Sequence, residues 1–140
     1  MSQRFTEVER QKFLAGVHVG VLSVAAGDRR PPASVPIWYD YEPGGNIRIS
    51  TGASSRKALL IEKAGVVTLV AQREEPPYQY VVVEGTVIDA AKPSPDDARE
   101  ALAVRYLGEE GGQAFVRSMD ASGSVLFTIR PDRWFSADYS

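Results

Sequence analysis

The chain has 140 residues, of which 44% are hydrophobic, and its 16 Lys and Arg residues nearly balance 18 Asp and Glu residues. This length is typical of one domain, so we expect a single domain over residues 1–140. The composition is that of a globular protein and excludes a wholly disordered or collagen-like chain. Because nucleic-acid-binding modules are usually basic, the slight acidic excess argues against a nucleic-acid partner.

Cysteine is absent and histidine occurs once in the whole sequence. Disulfides, thiolate metal sites and cysteine nucleophiles are therefore excluded, and a His-rich zinc site is disfavoured, so no metal site is predicted. No apolar stretch approaches the roughly 20 residues of a membrane-spanning helix. The first six residues lack the apolar core of a secretory signal. We therefore expect a cytoplasmic protein without a membrane partner.

The chain is predicted to begin with a short helix. Thr6 and Glu9 have the spacing of a capping box, in which each side chain bonds the other residue's backbone N–H. Phe13 and Leu14 supply the buried side of this helix, and Gly16 ends it.

Three predicted strands follow, over residues 17–24, 33–41 and 47–51. Each is rich in β-branched or aromatic residues, which favour extended structure. Pro36 has no backbone N–H to give to a sheet, so it marks an edge, a bulge or a break. The Pro-Gly-Gly-Asn turn at residues 43–46 joins the last two strands into a hairpin.

The middle of the chain is predicted to hold a helix and two further strands. The helix covers residues 54–63, with Ser54 or Ser55 as its cap and Gly65 as its end. The strands cover residues 66–71 and 78–88, and Gly85 within the second of them indicates a bulge.

The last third is predicted to be helical and then extended. Prolines and acidic residues at 93–97 suit the start of a helix that runs to about Tyr106. A second short helix covers residues 112–118. A sixth strand covers residues 124–130, and residues 133–136 extend it.

Six strands on mainly hairpin-like connections predict a mainly β fold, a small barrel with peripheral helices. Closure of a barrel would leave no sheet edge exposed. The second and fifth strands carry aromatic residues where one face would otherwise meet solvent, namely Tyr39, Tyr41, Tyr78 and Tyr80. Exposed aromatic surface commonly marks an interface or a site for a planar ligand.

The segment from Ser50 to Lys57 concentrates hydroxyls and two cations where a strand enters a helix. A helix N-terminus carries partial positive charge and unpaired N–H groups, which makes it a ready anion site. Arg56 can hold a phosphate through two hydrogen bonds, and Lys57 adds a point charge. The alternative is a capped surface helix with two solvated cations, and the spacing alone does not choose between them. The P-loop pattern is absent.

The remaining polar residues form no catalytic constellation. His18 lies in an apolar strand, where a lone histidine is more often structural than a proton donor. Asp40 and Glu42 stand beside the Pro-Gly-Gly turn and are expected to be solvated. No serine has a histidine and an acid at the spacing of a nucleophilic triad. We therefore nominate no catalytic side chain.

Several short segments, taken together in chain order, resemble the pyridoxamine 5'-phosphate oxidase-like split β-barrel family of flavin and deazaflavin proteins. The resemblance is closest to the small actinobacterial branch that uses coenzyme F-420. The segments run over nearly the whole chain: Phe13-Leu14, Val35 to Tyr39, Ser50-Thr51, Ser55 to Lys57, Pro76 to Val81, Val83 to Thr86, and Arg105 to Gly108. The resemblance implies a six-stranded split β-barrel of the FMN-binding type.

The same resemblance implies a homodimer with a cofactor groove between its two chains. Carried onto this sequence, the cofactor phosphate would be held by Ser50, Thr51, Ser55, Arg56 and Lys57. The edge of the cofactor ring would meet the backbone of Val35, Pro36 and Ile37. Near the ring or the dimer seam would lie Tyr78, Gln79 and Tyr80, with Trp134 as a weaker candidate.

The implied function is hydride transfer between coenzyme F-420 and a small unsaturated organic substrate, with the cofactor supplying the chemistry. FMN is the alternative cofactor, because its phosphate would use the same two cations. F-420 has a longer acidic tail, for which the candidate cations are Arg29, Arg30 and Arg73. A non-enzymatic flavin or tetrapyrrole binder is a further alternative. Pyridoxine metabolism is not implied, because Arg130 and Arg133 lack the surrounding pattern of the oxidases proper.

Overall fold

The computed structural model describes residues 2–140, which form three helices and six strands. The helices are α1 (Glu7–Ala15), α2 (Arg56–Ala64) and α3 (Asp96–Ser118). The strands are β1 (Gly20–Val24), β2 (Ala33–Ile37), β3 (Ile47–Gly52), β4 (Val66–Arg73), β5 (Gln79–Ala91) and β6 (Ser124–Asp138). No helix in this part of the chain is long and apolar enough to cross a membrane.

All six strands form one antiparallel sheet in the order β2-β1-β4-β5-β6-β3. The sheet curls into a half-barrel, so its edge strands β2 and β3 border the same groove. Its concave face buries the core, which includes Leu22, Ile49, Leu69, Val83 and Phe127. The predicted mainly β fold is confirmed.

The N-terminal caps that the sequence predicts for α1 and α2 are confirmed. Thr6 accepts a hydrogen bond from the Glu9 backbone N–H at 3.2 Å, and the Thr6 N–H donates to the Glu9 carboxylate at 2.8 Å. Of the two serines predicted to cap α2, Ser55 does so and accepts from the Ala58 N–H at 3.1 Å. Such caps satisfy backbone donors that a helix leaves unpaired.

The predicted bulge at Gly85 is also confirmed, because the pairing of β5 with β6 shifts register between Glu84 and Gly85. A Cβ atom at Gly85 would lie 2.5 Å from a methyl carbon of Ile129. No side chain fits there, so the strands approach closely only because this residue is glycine.

The second predicted strand is shorter than expected. It ends at Ile37, and residues 38–41 leave the ladder except for an isolated bridge between Asp40 and Arg48. Tyr39 is fully buried, and its hydroxyl donates to the carbonyl of Leu14 at 2.7 Å. Tyr39 and Tyr41 are therefore drawn into the core, which propensity alone does not reveal.

The two helices predicted near the C-terminus are confirmed as two helical segments, which follow one another directly across a kink and are labelled together as α3. α3 runs from Asp96 to Ser118 and bends at Gly108, whose φ of 78° and ψ of 170° are not helical. Glycine adopts this positive φ without the steric cost other residues meet. The kink turns the second half of α3 so that both halves line one groove.

Candidate functional site

The central groove, about 470 Å³ in volume, lies between the two edges of the sheet and helix α3. The end of β2 contributes Pro36, Ile37 and the following Trp38, and the end of β3 contributes Ser50, Thr51 and Gly52. Its remaining walls are Arg99, Leu102, Ala103, Phe115, Val116, Met119, Asp120, Gly123 and Ser124. The volume falls in the range of about 300–1,000 Å³ that small-molecule sites occupy.

Two cations stand at the N-terminus of α2, and we call Arg56 and Lys57 the cationic corner. Neither forms an ion pair with any residue within 2–140. Their backbone N–H groups likewise have no acceptor in that range, since the N–H groups that bond around this turn are those of Ser55, Ala58 and Leu59. Two charges and two free N–H donors therefore meet at one point.

The charge at the start of α2 is opposite to that of the other two helices. The first turn of α1 carries Glu7 and Glu9, and the first turn of α3 carries Asp96 and Asp97. The first turn of α2 holds no acidic residue. Because the helix dipole is positive at this end, acidic residues stabilise it and cations do not. The cationic corner therefore costs stability unless an anion joins it.

A second cavity, the side groove, connects the cationic corner to the sheet. It has a volume of about 230 Å³ and is lined by Leu22, Val24, Ala33, Val35, Arg56 and Lys57. Burial in this groove lowers the pKa of the Lys57 ammonium below its usual value. Val35 lines the side groove and its neighbour Pro36 lines the central groove, so the two cavities adjoin across β2.

Two of the predicted hydroxyl ligands are already engaged in holding the backbone. The Ser50 hydroxyl lies 2.7 Å from the hydroxyl of the buried Ser94, and Ser94 donates its N–H to Ser124 at 3.0 Å. The Ser55 hydroxyl donates to the carbonyl of Gly52 at 2.7 Å while it caps α2. These contacts fix the turn between β3 and α2 and so present the cationic corner.

Comparison of the sequence with protein-family models finds no match, and comparison with curated proteins finds none either. Comparison with solved structures does find neighbours. An F420 reductase shares 23% identity at a TM-score of 0.73, with 89% of this chain and 94% of that chain covered. A conserved hypothetical protein from Mycobacterium tuberculosis shares 22% at 0.74, covering 96% and 86%. A FAD-binding protein from Mesorhizobium loti shares 18% at 0.74, covering 100% and 99%.

This chain has the split β-barrel fold. The structural neighbours match the family that the sequence resembles, so the resemblance is confirmed at the level of the fold. Identities below 25% do not carry a cofactor or a reaction from those proteins to this one.

In this split barrel the tyrosine segment lies apart from both grooves. Gln79 and Tyr80 begin β5 and pair with the end of β6, and the Gln79 amide donates to Asp138 at 3.1 Å. Three steps across the sheet separate β5 from β2, roughly 14 Å along its surface at the usual strand spacing. Tyr78 and Tyr80 are exposed at 54% and 36%. Within one chain, therefore, they do not meet the ring-edge residues of β2.

Trp134 and His18 are both occupied by contacts within the split barrel. Trp134 packs on the core, with the guanidinium of Arg10 centred 5.0 Å from its ring. His18 stacks on Phe13 with ring centroids 4.5 Å apart, and its Nε2 lies 3.0 Å from the Phe13 carbonyl. Burial lowers the pKa of His18 below 6.5. These contacts give both residues structural roles.

The Arg105-Tyr106 pair joins α3 to the start of the chain. Arg105 donates to the carbonyls of Ala15 and Gly16 at 3.0 and 2.7 Å, at the C-terminal end of α1. The Tyr106 hydroxyl donates to the His18 carbonyl at 2.7 Å. Tyr106 also stacks on Trp38, with centroids 4.8 Å apart and planes 9° from parallel. The pair therefore holds one wall of the central groove in place.

Sequence reasoning missed the α3 wall of the central groove. Leu102, Phe115 and Met119 come from two halves of a helix that meet only because of the kink at Gly108. The signal available was the glycine itself, together with Gly111 and Gly112 a few residues later. No sequence pattern indicated which face of either half would turn toward β2 and β3.

Proposed function

We propose that this chain is an oxidoreductase that works as a homodimer, with coenzyme F-420 as the cofactor and a small unsaturated organic molecule as the substrate. The cationic corner is the observation that carries the proposal. Two unpaired cations and two free N–H groups occupy a helix start where the dipole alone favours an anion. A bound phosphate group would offset the unfavourable free energy of placing two cations at this helix N-terminus.

The residues of both grooves fit a cofactor with a flat ring and a phosphate. The apolar walls of the central groove at Pro36, Ile37 and Trp38 suit a planar ring. Arg56 and Lys57 suit the phosphate through charge-assisted hydrogen bonds. The two cavities lie on either side of the edge strand β2, so a molecule with both groups would pass the edge of this strand to place its ring in one cavity and its phosphate in the other. Thr51, whose hydroxyl has no partner within residues 2–140, lines the central groove.

The chain's own contribution is binding, orientation and exclusion of water. When bound, the cofactor supplies the hydride chemistry, and a protein need add only position and electrostatics. The Trp38–Tyr106 stack and the Ser50–Ser94 bond hold opposite walls of the central groove at fixed positions. The apolar side chains of α3 keep water from the space between those walls. No side-chain acid or base is required of this site.

The position of two further cations favours F-420 over FMN. Arg29 and Arg30 lie in the loop between β1 and β2, and the ends of that loop, Val24 and Ala33, line the side groove. Neither arginine forms an ion pair within residues 2–140. An acidic tail leaving the cationic corner would meet them. Arg73 lies at the far end of β4 and donates to the Glu75 carbonyl, so it is not part of this group.

An apolar row on the outer face of the sheet supports the homodimer. Val21 pairs with Pro36 and with Val70, and Val82 pairs with Val70 and with Phe135. Directly paired residues share a face, so these five side chains form one line across five strands. Phe135 is 53% exposed. A second copy covering this apolar row would also cover the nearby Tyr80 and would reach the central groove at Pro36.

The homodimer is tested by Phe135→Glu. A charge buried within an apolar interface is expected to shift the sedimentation coefficient from that of a dimer to that of a monomer. Ile88→Glu is the matched control, because Ile88, in β5, is an apolar residue about as exposed as Phe135 but lies outside the row. A wild-type protein that sediments as a monomer, or dissociation by both variants alike, would contradict this interface.

The cofactor is tested by parallel fluorescence titrations of the purified protein with F-420 and with FMN. The proposal predicts tighter binding of F-420, and weaker binding by several-fold or more in Lys57→Ala, since charge-assisted hydrogen bonds contribute about 1.5–3 kcal/mol. Lys63→Ala changes a cation at the other end of α2 and is expected to bind as the wild type does. Preference for FMN would keep the fold and change the cofactor. Binding without turnover of any electron acceptor would favour a carrier.

A further inference from the structure

The α3 wall of the central groove differs in chemistry from the rest of the site. Leu102, Phe115 and Met119 make it apolar, and one cation, Arg99, stands among them. The Arg99 side chain is only 12% exposed. A guanidinium held inside an apolar groove is costly unless its N–H groups find acceptors.

The chain itself uses only part of the hydrogen-bonding capacity of Arg99. One nitrogen donates to Asp96 at 3.2 Å, and another donates to the Met119 carbonyl at 3.3 Å. Asp96 is 89% exposed, so this ion pair neutralises little of the charge. Arginine carries five N–H donors in a planar fork, which leaves donors for a ligand in the groove.

The one acidic residue among the groove's lining residues, Asp120, is engaged mainly by Ser122, and its carboxylate also interacts with the charge of Arg99. The carboxylate of Asp120 accepts from the backbone N–H and the hydroxyl of Ser122 at 2.9 and 2.8 Å. The Trp38 indole N–H has no acceptor within residues 2–140, so it is a second free donor on the same groove. The groove therefore offers the spare N–H groups of Arg99 beside one carboxylate, Asp120, whose oxygens accept from Ser122, and apolar side chains surround both.

We propose that the α3 wall binds the substrate, and that Arg99 selects flat, largely apolar molecules that carry one carboxylate or similar anion. This inference rests on the proposed function, which makes the bound molecule the substrate of the oxidoreductase. The apolar body would lie against Trp38, Phe115 and Met119, and the anion would meet the free N–H groups of Arg99. Arg99 acts here as a specificity-determining residue, separate from the cationic corner that serves the cofactor.

The test uses two fluorescent probes of similar shape and different charge, without any cofactor. 1-Anilinonaphthalene-8-sulfonate is anionic, and N-phenyl-1-naphthylamine is neutral. In Arg99→Gln, the anionic probe is expected to bind about ten-fold more weakly, a factor that corresponds to about 1.4 kcal/mol, while the neutral probe binds as before. Phe115→Ala is expected to weaken both probes, because it removes part of the shared apolar wall.

Matched variants keep the result interpretable. Arg117→Gln removes an exposed arginine at the other end of α3, outside the groove, and is expected to change neither probe. Asp96→Asn removes the ion pair but keeps Arg99, so the anionic probe is expected to bind at least as tightly as before. Thermal unfolding by circular dichroism confirms that each variant is folded.

Three results would overturn the proposal. The first is unchanged binding of the anionic probe in Arg99→Gln. The second is equal weakening of both probes in that variant. The third is loss of anionic-probe binding in Lys57→Ala instead, which would place the anion at the cationic corner. Failure of F-420 to bind, with the charge-selective loss in Arg99→Gln intact, would refute the proposed function and leave this site standing.

Discussion

Replacement of Lys57 by Met is expected to stabilise the protein while weakening its hold on phosphate. The Lys57 ammonium is partly buried at the start of α2, and no carboxylate within residues 2–140 pairs with it. Methionine keeps the unbranched apolar stem and a similar helix propensity. Removing the charge removes an unfavourable interaction with the helix dipole of about 0.3–1 kcal/mol, which corresponds to a rise in Tm of about 1–4 °C.

The pH dependence of this gain has a definite sign. Burial places the pKa of Lys57 in the folded protein below the 10.5 of the free side chain. At neutral pH the ammonium is charged in both states, so its cost to the folded state is fully present. As the pH rises through the lowered pKa toward 10.5, the folded protein releases the proton first and the cost disappears. The advantage of Lys57→Met over the wild type is therefore expected at neutral pH and lost in strong base.

The assay is thermal unfolding followed by circular dichroism at low ionic strength, with and without added inorganic phosphate. Phosphate is expected to raise the Tm of the wild type more than that of Lys57→Met. Lys63→Met is the matched control, because Lys63 lies in the last turn of α2, where a cation is favourable. Its Tm is expected to fall slightly. A Tm that falls equally in both variants without phosphate would refute the reasoning about the cationic corner.

Three further predictions concern the walls of the groove and the stability of the fold. Because burial lowers the pKa of His18, the unfolded chain takes up a proton at a higher pH than the folded protein does. Urea unfolding should therefore show a loss of stability from pH 7 to 5.5, and His18→Gln should reduce that loss. A Cβ at Gly112 would lie 2.5 Å from the backbone nitrogen of Val104, so Gly112→Ala should cost about 1–3 kcal/mol by urea unfolding. Gly111→Ala should cost less, because its Cβ would meet only the Leu107 Cβ, at 3.3 Å. Tyr106→Phe removes hydrogen bonds to backbone groups of two segments, and the free energy of unfolding should fall by about 1–3 kcal/mol.

Features that depend on neighbours in sequence were predictable. The capping box of Thr6 and Glu9 and the Ser55 cap each join groups three residues apart. The bulge at Gly85 followed from the poor fit of glycine to a regular strand. The cationic corner was visible for the same reason, since Arg56 and Lys57 adjoin the cap.

Features that depend on distant segments were not predictable. The roles of Arg105 and Tyr106 come from carbonyls about 90 positions earlier in the chain. Ser50 lines the central groove, and its hydroxyl also bonds that of Ser94, 44 positions later, a partner that no local spacing indicates. The place of Arg99 required knowing that α3 kinks at Gly108 and folds over the sheet edges. In each case the partner is set by the tertiary fold and not by local spacing.

The central claim is that the cationic corner holds the phosphate of the cofactor. FMN and riboflavin differ only by that phosphate. The ratio of their affinities, measured by equilibrium dialysis, therefore gives the contribution of the phosphate to binding. We expect the wild type to bind FMN at least about ten-fold more tightly than riboflavin, and the ratio of the two affinities to fall toward one in Arg56→Gln/Lys57→Met. Equal affinities for FMN and riboflavin in the wild type, or a ratio that is unchanged in the double variant, would contradict the claim.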